Sequence, residues 1–190
     1  MIDSKDLTID QKAVLLVFSN IPRKFKKSRT YLEKFLFLLV KAFPEMLDYF
    51  DSTFESYKYG PYNEYAEEVF DSLKDYRLID DSYEFTSAGK KIVEEVKKER
   101  ETNPLVLRVE EFSDLLKDLD IDDILYLTYN LYPDFTDKSV IRDKVRSSKL
   151  ESFKVNIKEL EGEKEIIVHS DKGSRIKLKK VSSRLEVTEE

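Results

Sequence analysis

Between Tyr57 and Thr86 the spacing of apolar residues changes character within a short span, and few architectures accommodate that order. Tyr62, Tyr65, Ala66, Val69, Phe70 and Leu73 recur at helical spacing. Leu78-Ile79 then forms a short apolar step, Asp80-Asp81-Ser82 has the composition of a turn, and Tyr83 and Phe85 alternate with Glu84. Thr86 is suited to cap a following helix. Gly60 permits backbone angles closed to other residues, and Pro61 has the fixed φ of a first helical turn. The expectation is therefore a helix opened by Gly60-Pro61 and running over Tyr62–Tyr76. A short strand, a tight turn, a second short strand and another helix follow. This order is that of the second half of a winged helix-turn-helix domain.

The preceding segments supply the first half. Thr8 can cap a helix over Ile9–Ser19, which Pro22 ends. Ser28 can cap a second over Arg29–Ala42, whose Leu32, Phe35, Leu36, Leu38 and Leu39 are spaced for burial around most of its circumference. Glu45–Ser56 is ambiguous between a helical turn and an extended piece. A charged helix over Ser87–Glu101 completes a winged-helix domain at 1–101. Asn103-Pro104 breaks the chain. A helical extension at 102–149 is then expected, with helices over Leu105–Leu119, from Asp120 to Tyr132, and over Asp137–Ser147. After Lys149 the period becomes two, through Phe153, Val155, Ile157, Ile166, Val168, Ile176 and Leu178. Residues 150–190 read as a small β appendage, one hairpin and a strand with a frayed tail from Ser182. The fold class expected is mainly α with small β.

Composition narrows the chemistry. There is no cysteine and a single histidine, His169. Disulfides, thiolate metal sites and cysteine nucleophiles are excluded, and a zinc site lacks ligands. Carboxylates are numerous but fall at solvated helical spacing, and no Gly-rich phosphate loop is present. Neither an enzyme, a cofactor nor a metal is expected. No apolar run approaches the length of a membrane span, and Met1–Asp10 has no apolar signal core, so a soluble cytoplasmic protein is expected. Charged residues make up 38% of the chain and Gln11 is its only glutamine, the bias of thermophilic proteins.

Charge divides the chain into zones. The Tyr62–Tyr76 helix holds Glu64, Glu67, Glu68, Asp71 and Asp75 against Lys74 alone. A helix of that sign is repelled by the phosphate backbone. Positive charge gathers elsewhere: in the loop carrying Arg23, Lys24, Lys26, Lys27 and Arg29, in residues 138–149, and in the C-terminal stretch with Lys172, Arg175, Lys177, Lys179 and Lys180. Two readings follow. Duplex DNA is contacted through the basic loop and basic hairpin, or a basic protein partner meets the acidic helix. For the hairpin, the alternating lysines could instead protect an edge strand from aggregation. The Leu-rich helices beyond Leu105 suit a homodimer.

The pattern Arg29-x-x-Leu32-x-Lys34-Phe35-Leu36-Phe37-Leu38-Leu39, then Tyr57-x-Tyr59-Gly60-Pro61-Tyr62, then Leu78-Ile79 and Phe85-Thr86-x-x-Gly89, resembles the YwgA-like and SocA-like ("Panacea") winged-helix proteins over about residues 9–96. The resemblance implies a winged helix without catalysis and a regulatory role, either as a DNA-binding transcriptional regulator or as an antitoxin-like or adaptor-like protein binder.

Overall fold

A computed structural model of the chain describes residues 2–21, 28–43, 54–101, 103–116, 119–147, 153–160, 163–170, 175–181 and 184–189. Arg23, Lys24, Lys26, Lys27 and Lys172 lie outside these residues. Helices dominate: α1 (Ile9–Asn20), α2 (Arg29–Ala42), α3 (Glu64–Asp75), α4 (Ser87–Lys97), α5 (Pro104–Leu116), α6 (Ile121–Leu131) and α7 (Arg142–Ser147). A two-stranded antiparallel sheet, β1 (Glu55–Tyr57) with β2 (Gly60–Tyr62), precedes α3. A four-stranded antiparallel meander follows α7: β3 (Phe153–Leu160), β4 (Glu163–Ser170), β5 (Arg175–Val181) and β6 (Arg184–Glu189). No helix among the described residues is long and apolar enough to cross a membrane.

The helices begin where short polar side chains take up free amides. Ser28, Asn63, Thr86 and Asp120 each accept a hydrogen bond from the first turn of α2, α3, α4 and α6. Ala13 through Phe18 are all buried, so α1 runs through the core with no solvent face over that stretch. The single glutamine is structural. Gln11 accepts from the Thr8 N–H at 3.0 Å and donates to Ser72 Oγ at 3.0 Å, bridging α1 to α3. One core runs from Leu7 to Tyr132, and the residues before and after position 102 share it. Phe35 meets Phe112 edge-on at 5.3 Å, and Phe37 packs against Phe54, Tyr132 and Phe135 at 5.0–5.2 Å.

Four expectations need correcting. Gly60-Pro61-Tyr62 does not open a helix. These residues form β2, with Gly60 opposite Tyr57 and Pro61 opposite Ser56, and α3 starts only after the Asn63 cap. The φ fixed by proline fits an edge strand as well as a first helical turn, and pairing with β1 selects the strand. The strands around Asp80 shrink to one bridge, Ile79 with Phe85. Asp80 organises that turn instead, its carboxylate accepting from the N–H groups of Ser82 and Glu84, while Tyr83 takes a left-handed φ of 60°. The expected helix from Asp137 is delayed to Arg142. A 3₁₀ turn (Pro133–Thr136) comes first, and residues 138–140 bond to the β1–β2 turn. Finally, the described part of the tail is not frayed. Arg184–Glu189 is β6, because Leu185 and Val187 alternate in register with Lys180 and Leu178 of β5.

Candidate functional site: a tyrosine-walled pocket over a buried lysine

The meeting of α2 with the Tyr57–Tyr62 hairpin creates a cleft of about 330 Å³. Tyr57, Tyr59, Gly60 and Tyr62 form one wall. Arg29, Thr30, Glu33 and Lys34 form the other, and Glu67 of α3 closes one end. Tyr57 and Tyr62 lie 5.0 Å apart, centroid to centroid, while Tyr57 and Tyr59 remain 57% and 44% exposed at the mouth.

Lys34 lies within this cleft's lining and is only 1% exposed. Its ammonium donates to the Pro61 carbonyl at 2.7 Å and to Glu33 Oε2 at 3.0 Å. A buried ammonium loses its hydration, so it requires acceptors of this kind. Burial pushes the Lys34 pKa below its ordinary value, with the Glu33 carboxylate pulling the other way. Pro61 has a second use here. Its carbonyl is the acceptor that fixes the lysine. The Tyr62 hydroxyl donates to Glu67 Oε2 at 2.7 Å, which raises the Tyr62 pKa.

The hairpin is held from behind. The Val140 N–H donates to the Lys58 carbonyl at 3.0 Å, and Ser139 Oγ donates to the same oxygen at 3.2 Å. Lys138 N–H donates to Ser56 Oγ at 3.2 Å. Gly60 adopts a φ of 90° and sits against the buried ring of Tyr129, whose hydroxyl is 2.7 Å from Ser139 Oγ. Only glycine combines that dihedral with so close an approach. The pocket wall is thereby positioned by α6 and the segment after it.

The basic residues singled out from sequence fall in different environments. Arg29 is engaged inside the fold. Its guanidinium donates to Glu67 Oε1 at 3.3 Å and Asp71 Oδ1 at 2.6 Å and lies 4.7 Å over the Phe70 ring. It clamps α2 to α3 rather than standing free for phosphate. Arg175, Lys177, Lys179 and Lys180 lie on β5, an interior strand of the meander, so no edge needs their protection. Strand alternation puts Arg175, Lys177 and Lys179 on one face with Lys154 and Lys158 of β3, and Lys180 on the other. On the first face the register gives a row across the sheet, Lys158, Glu165, Lys179 and Glu186, of alternating sign. Lys154, His169 and Arg175 make a second row with no acid. The opposite face carries Phe153, Val155, Ile157, Ile166, Val168, Ile176, Leu178, Leu185 and Val187.

The acidic residues of α3 do form a surface. Glu64, Glu68, Asp71 and Asp75 are exposed, and Asp80 and Asp81 continue the patch past the helix end. Lys74 reaches Asp81 at 3.9 Å. No group of His, Cys, Asp and Glu among the described residues is arranged to hold a metal ion.

Sequence reasoning missed Lys34 and Glu33 as pocket residues. The available signal was position: from Tyr31 to Val40, Glu33 and Lys34 are the only charges in an otherwise apolar run. No protein-family model, curated protein or solved structure matches this chain.

Proposed function

We propose that this chain is a non-enzymatic regulatory protein in which α1 to α4 make a winged-helix unit, and that the solvent face of α3 binds a basic segment of a protein partner. The observation that supports it is the charge of that face. Exposed Glu64, Glu68, Asp71 and Asp75 run into Asp80 and Asp81, and Arg29 of α2 already serves Glu67 and Asp71. In a DNA-reading winged helix the corresponding helix carries basic and amide side chains into the major groove. An acidic α3 favours a cationic partner and steers its approach. The test is anisotropy of a fluorescent Lys/Arg-rich peptide titrated with the full chain across a salt series. Glu64→Gln/Glu68→Gln/Asp75→Asn should weaken binding by roughly tenfold or more. The same number of charges removed from α4 and α5, at Glu94, Glu95 and Glu110, serves as the control and should change it little. Equal losses in the two variants would reject α3 as the docking face.

A second reading, duplex DNA contact by a regulator, is favoured by the shared face of Arg175, Lys177, Lys154 and Lys158. Binding to random-sequence duplex with a steep salt dependence, weakened by Arg175→Glu/Lys177→Glu and not by Lys180→Glu on the opposite face, would support it. Absence of binding at low salt would remove it.

A further inference from the structure

We infer that the partner's basic segment is anchored by an arginine stacked on the exposed rings of Tyr57 and Tyr59, on the hairpin that adjoins the first turn of α3. The inference rests on the reading of α3 as the docking face and extends it, because it states which cation the partner carries and where that cation sits.

The first support is exposure. Among the described residues the exposed large hydrophobic side chains are Tyr57, Tyr59, Tyr76 and Val140. Tyr57 and Tyr59 flank Lys58 on one hairpin, and Val140 is tied to that hairpin by its N–H bond to the Lys58 carbonyl at 3.0 Å. Clustered exposed aromatics mark interaction surfaces, whereas scattered ones do not. The second support is continuity with the acidic face. The Tyr57 ring lies 5.0 Å from the Tyr62 ring, and the Tyr62 hydroxyl donates to Glu67 Oε2 at 2.7 Å. That bond, burial and the charges of Glu67, Glu64 and Glu33 all raise the Tyr62 pKa, so carboxylates set the field at this end of the hairpin. The neighbouring cations are already paired, Arg29 with Glu67 and Asp71, and Lys34 with Glu33. Glu64, Glu68 and Asp75 make no ion pair with a described residue.

Third, tyrosine rings attract cations through their quadrupole, and the planar, weakly hydrated guanidinium of arginine stacks on them better than an ammonium does. The hairpin already shows the attraction. The Lys58 ammonium lies 5.6 Å over the Tyr59 ring. Tyr57 carries no such cation from a described residue and is the more exposed of the two, at 57% against 44%. Fourth, the hairpin is rigid. Gly60 is packed on Tyr129, and Val140 and Ser139 hold the Lys58 carbonyl, so the rings have little freedom left to lose on binding.

The test uses the full chain and two fluorescent probes of equal charge, octa-arginine and octa-lysine, in anisotropy titrations. Octa-arginine should bind roughly two- to fivefold more tightly. Tyr57→Leu/Tyr59→Leu keeps apolar bulk against Tyr62 but removes the rings, and should bring the two affinities together. Tyr76→Leu removes an exposed ring at the far end of α3, about 18 Å away along the helix axis, and should leave the preference intact. Glu64→Gln/Glu68→Gln/Asp75→Asn should weaken both peptides alike and leave their ratio unchanged. The readings therefore fail separately. If the α3 variant loses both peptides while the hairpin variant keeps the arginine preference, α3 remains the docking face and the anchor is overturned. If neither peptide binds the wild type, docking face and anchor are both overturned. Equal wild-type affinity for the two peptides also overturns the anchor. Where the hairpin variant does not fold, the wild-type complex decides: cross-relaxation is expected between arginine δ-methylene protons and the Tyr57 or Tyr59 ring protons, and its absence at saturation overturns the inference.

Discussion

Gly60→Ala tests whether the hairpin is positioned by α6 as the contacts say. The wild-type φ at this residue is 90°. A Cβ placed there would lie 2.9 Å from Tyr129 Cε2, 3.1 Å from its hydroxyl and 3.3 Å from Cζ, well inside the ~3.5–4.0 Å optimum for carbon pairs. Tyr129 is fully buried and bonded to Ser139, so it has little room to retreat. Two costs combine. A left-handed φ on an L-residue costs about 1–2 kcal/mol, and overpacking a well-filled site costs about 1–3 kcal/mol. A loss of about 3 kcal/mol is expected, or roughly 6–12 °C in Tm for a chain of this size. Urea denaturation followed by circular dichroism measures it. Tyr129→Leu removes all three crowded ring atoms, so in the double variant only the dihedral cost of the alanine should remain. The coupling between the two sites should then be about 1–3 kcal/mol. A Gly60→Ala penalty under about 0.5 kcal/mol, or additivity within about 0.3 kcal/mol, would refute the reasoning.

Three further outcomes follow from the same contacts. Burial, opposed by the Asp120 N–H and reinforced by the Asp120 carboxylate, pushes the Asp123 carboxyl up to about 7 from 3.8. The folded state then holds a proton that the unfolded state releases, so this group's contribution to stability is full below about pH 4, falls between pH 4 and 7, and is flat above. Asp123→Asn keeps an oxygen to accept from the Asp120 N–H and should flatten that slope in denaturation from pH 4 to 8; an unchanged slope would exclude Asp123 as its source. Gly89→Ala places a Cβ onto the Leu78 carbonyl oxygen, so thermal melting should show a loss of ~3 kcal/mol or more, and a change below about 1 kcal/mol would contradict the close packing of α4 on that strand step. Arg29→Met removes the two ion pairs and the cation over Phe70 at a cost of about 1 kcal/mol. In 1 M salt the difference from wild type should shrink, and a salt-independent difference would assign the role of Arg29 to packing alone.

Much of the helical frame was legible because its determinants are local. Ser28 and Thr86 read as caps and act as caps, Asp120, read as a helix start, caps the helix it precedes, and the stripe from Ala66 to Leu73 is buried as its spacing requires. What failed depended on partners distant in sequence. Pro61 satisfies a helix start and an edge strand equally, and only β1 distinguishes them. Residues 138–140 have helical composition, yet the Lys58 carbonyl recruits two donors from that segment and delays α7. The final strand was hidden by its length. Leu185 and Val187 are only two apolar positions, too few to mark a strand until β5 supplies the register.

The site was obscured by a different cause. A charge count treats every basic side chain as a solvated cation, and on that footing Arg29 was placed with the basic loop and Lys34 was given no role of its own. The fold assigns them opposite uses. Arg29 is 27% exposed in its side chain and neutralises two α3 acids, whereas Lys34 is 1% exposed and donates to the Pro61 carbonyl and to Glu33. Removing Arg29 from the basic surface leaves α3 facing solvent as an acidic patch. Because Glu67 accepts from both Arg29 and the Tyr62 hydroxyl, the cleft and the Arg29 clamp on α3 share a residue. Losing the Tyr62 hydroxyl would therefore disturb the Glu67 carboxylate and, through Arg29, the charge that α3 presents. Tyr62→Phe should change the affinity of the basic peptide for α3 in the same anisotropy titration, and an unchanged affinity would show that the Tyr62–Glu67–Arg29 contacts do not tune that face.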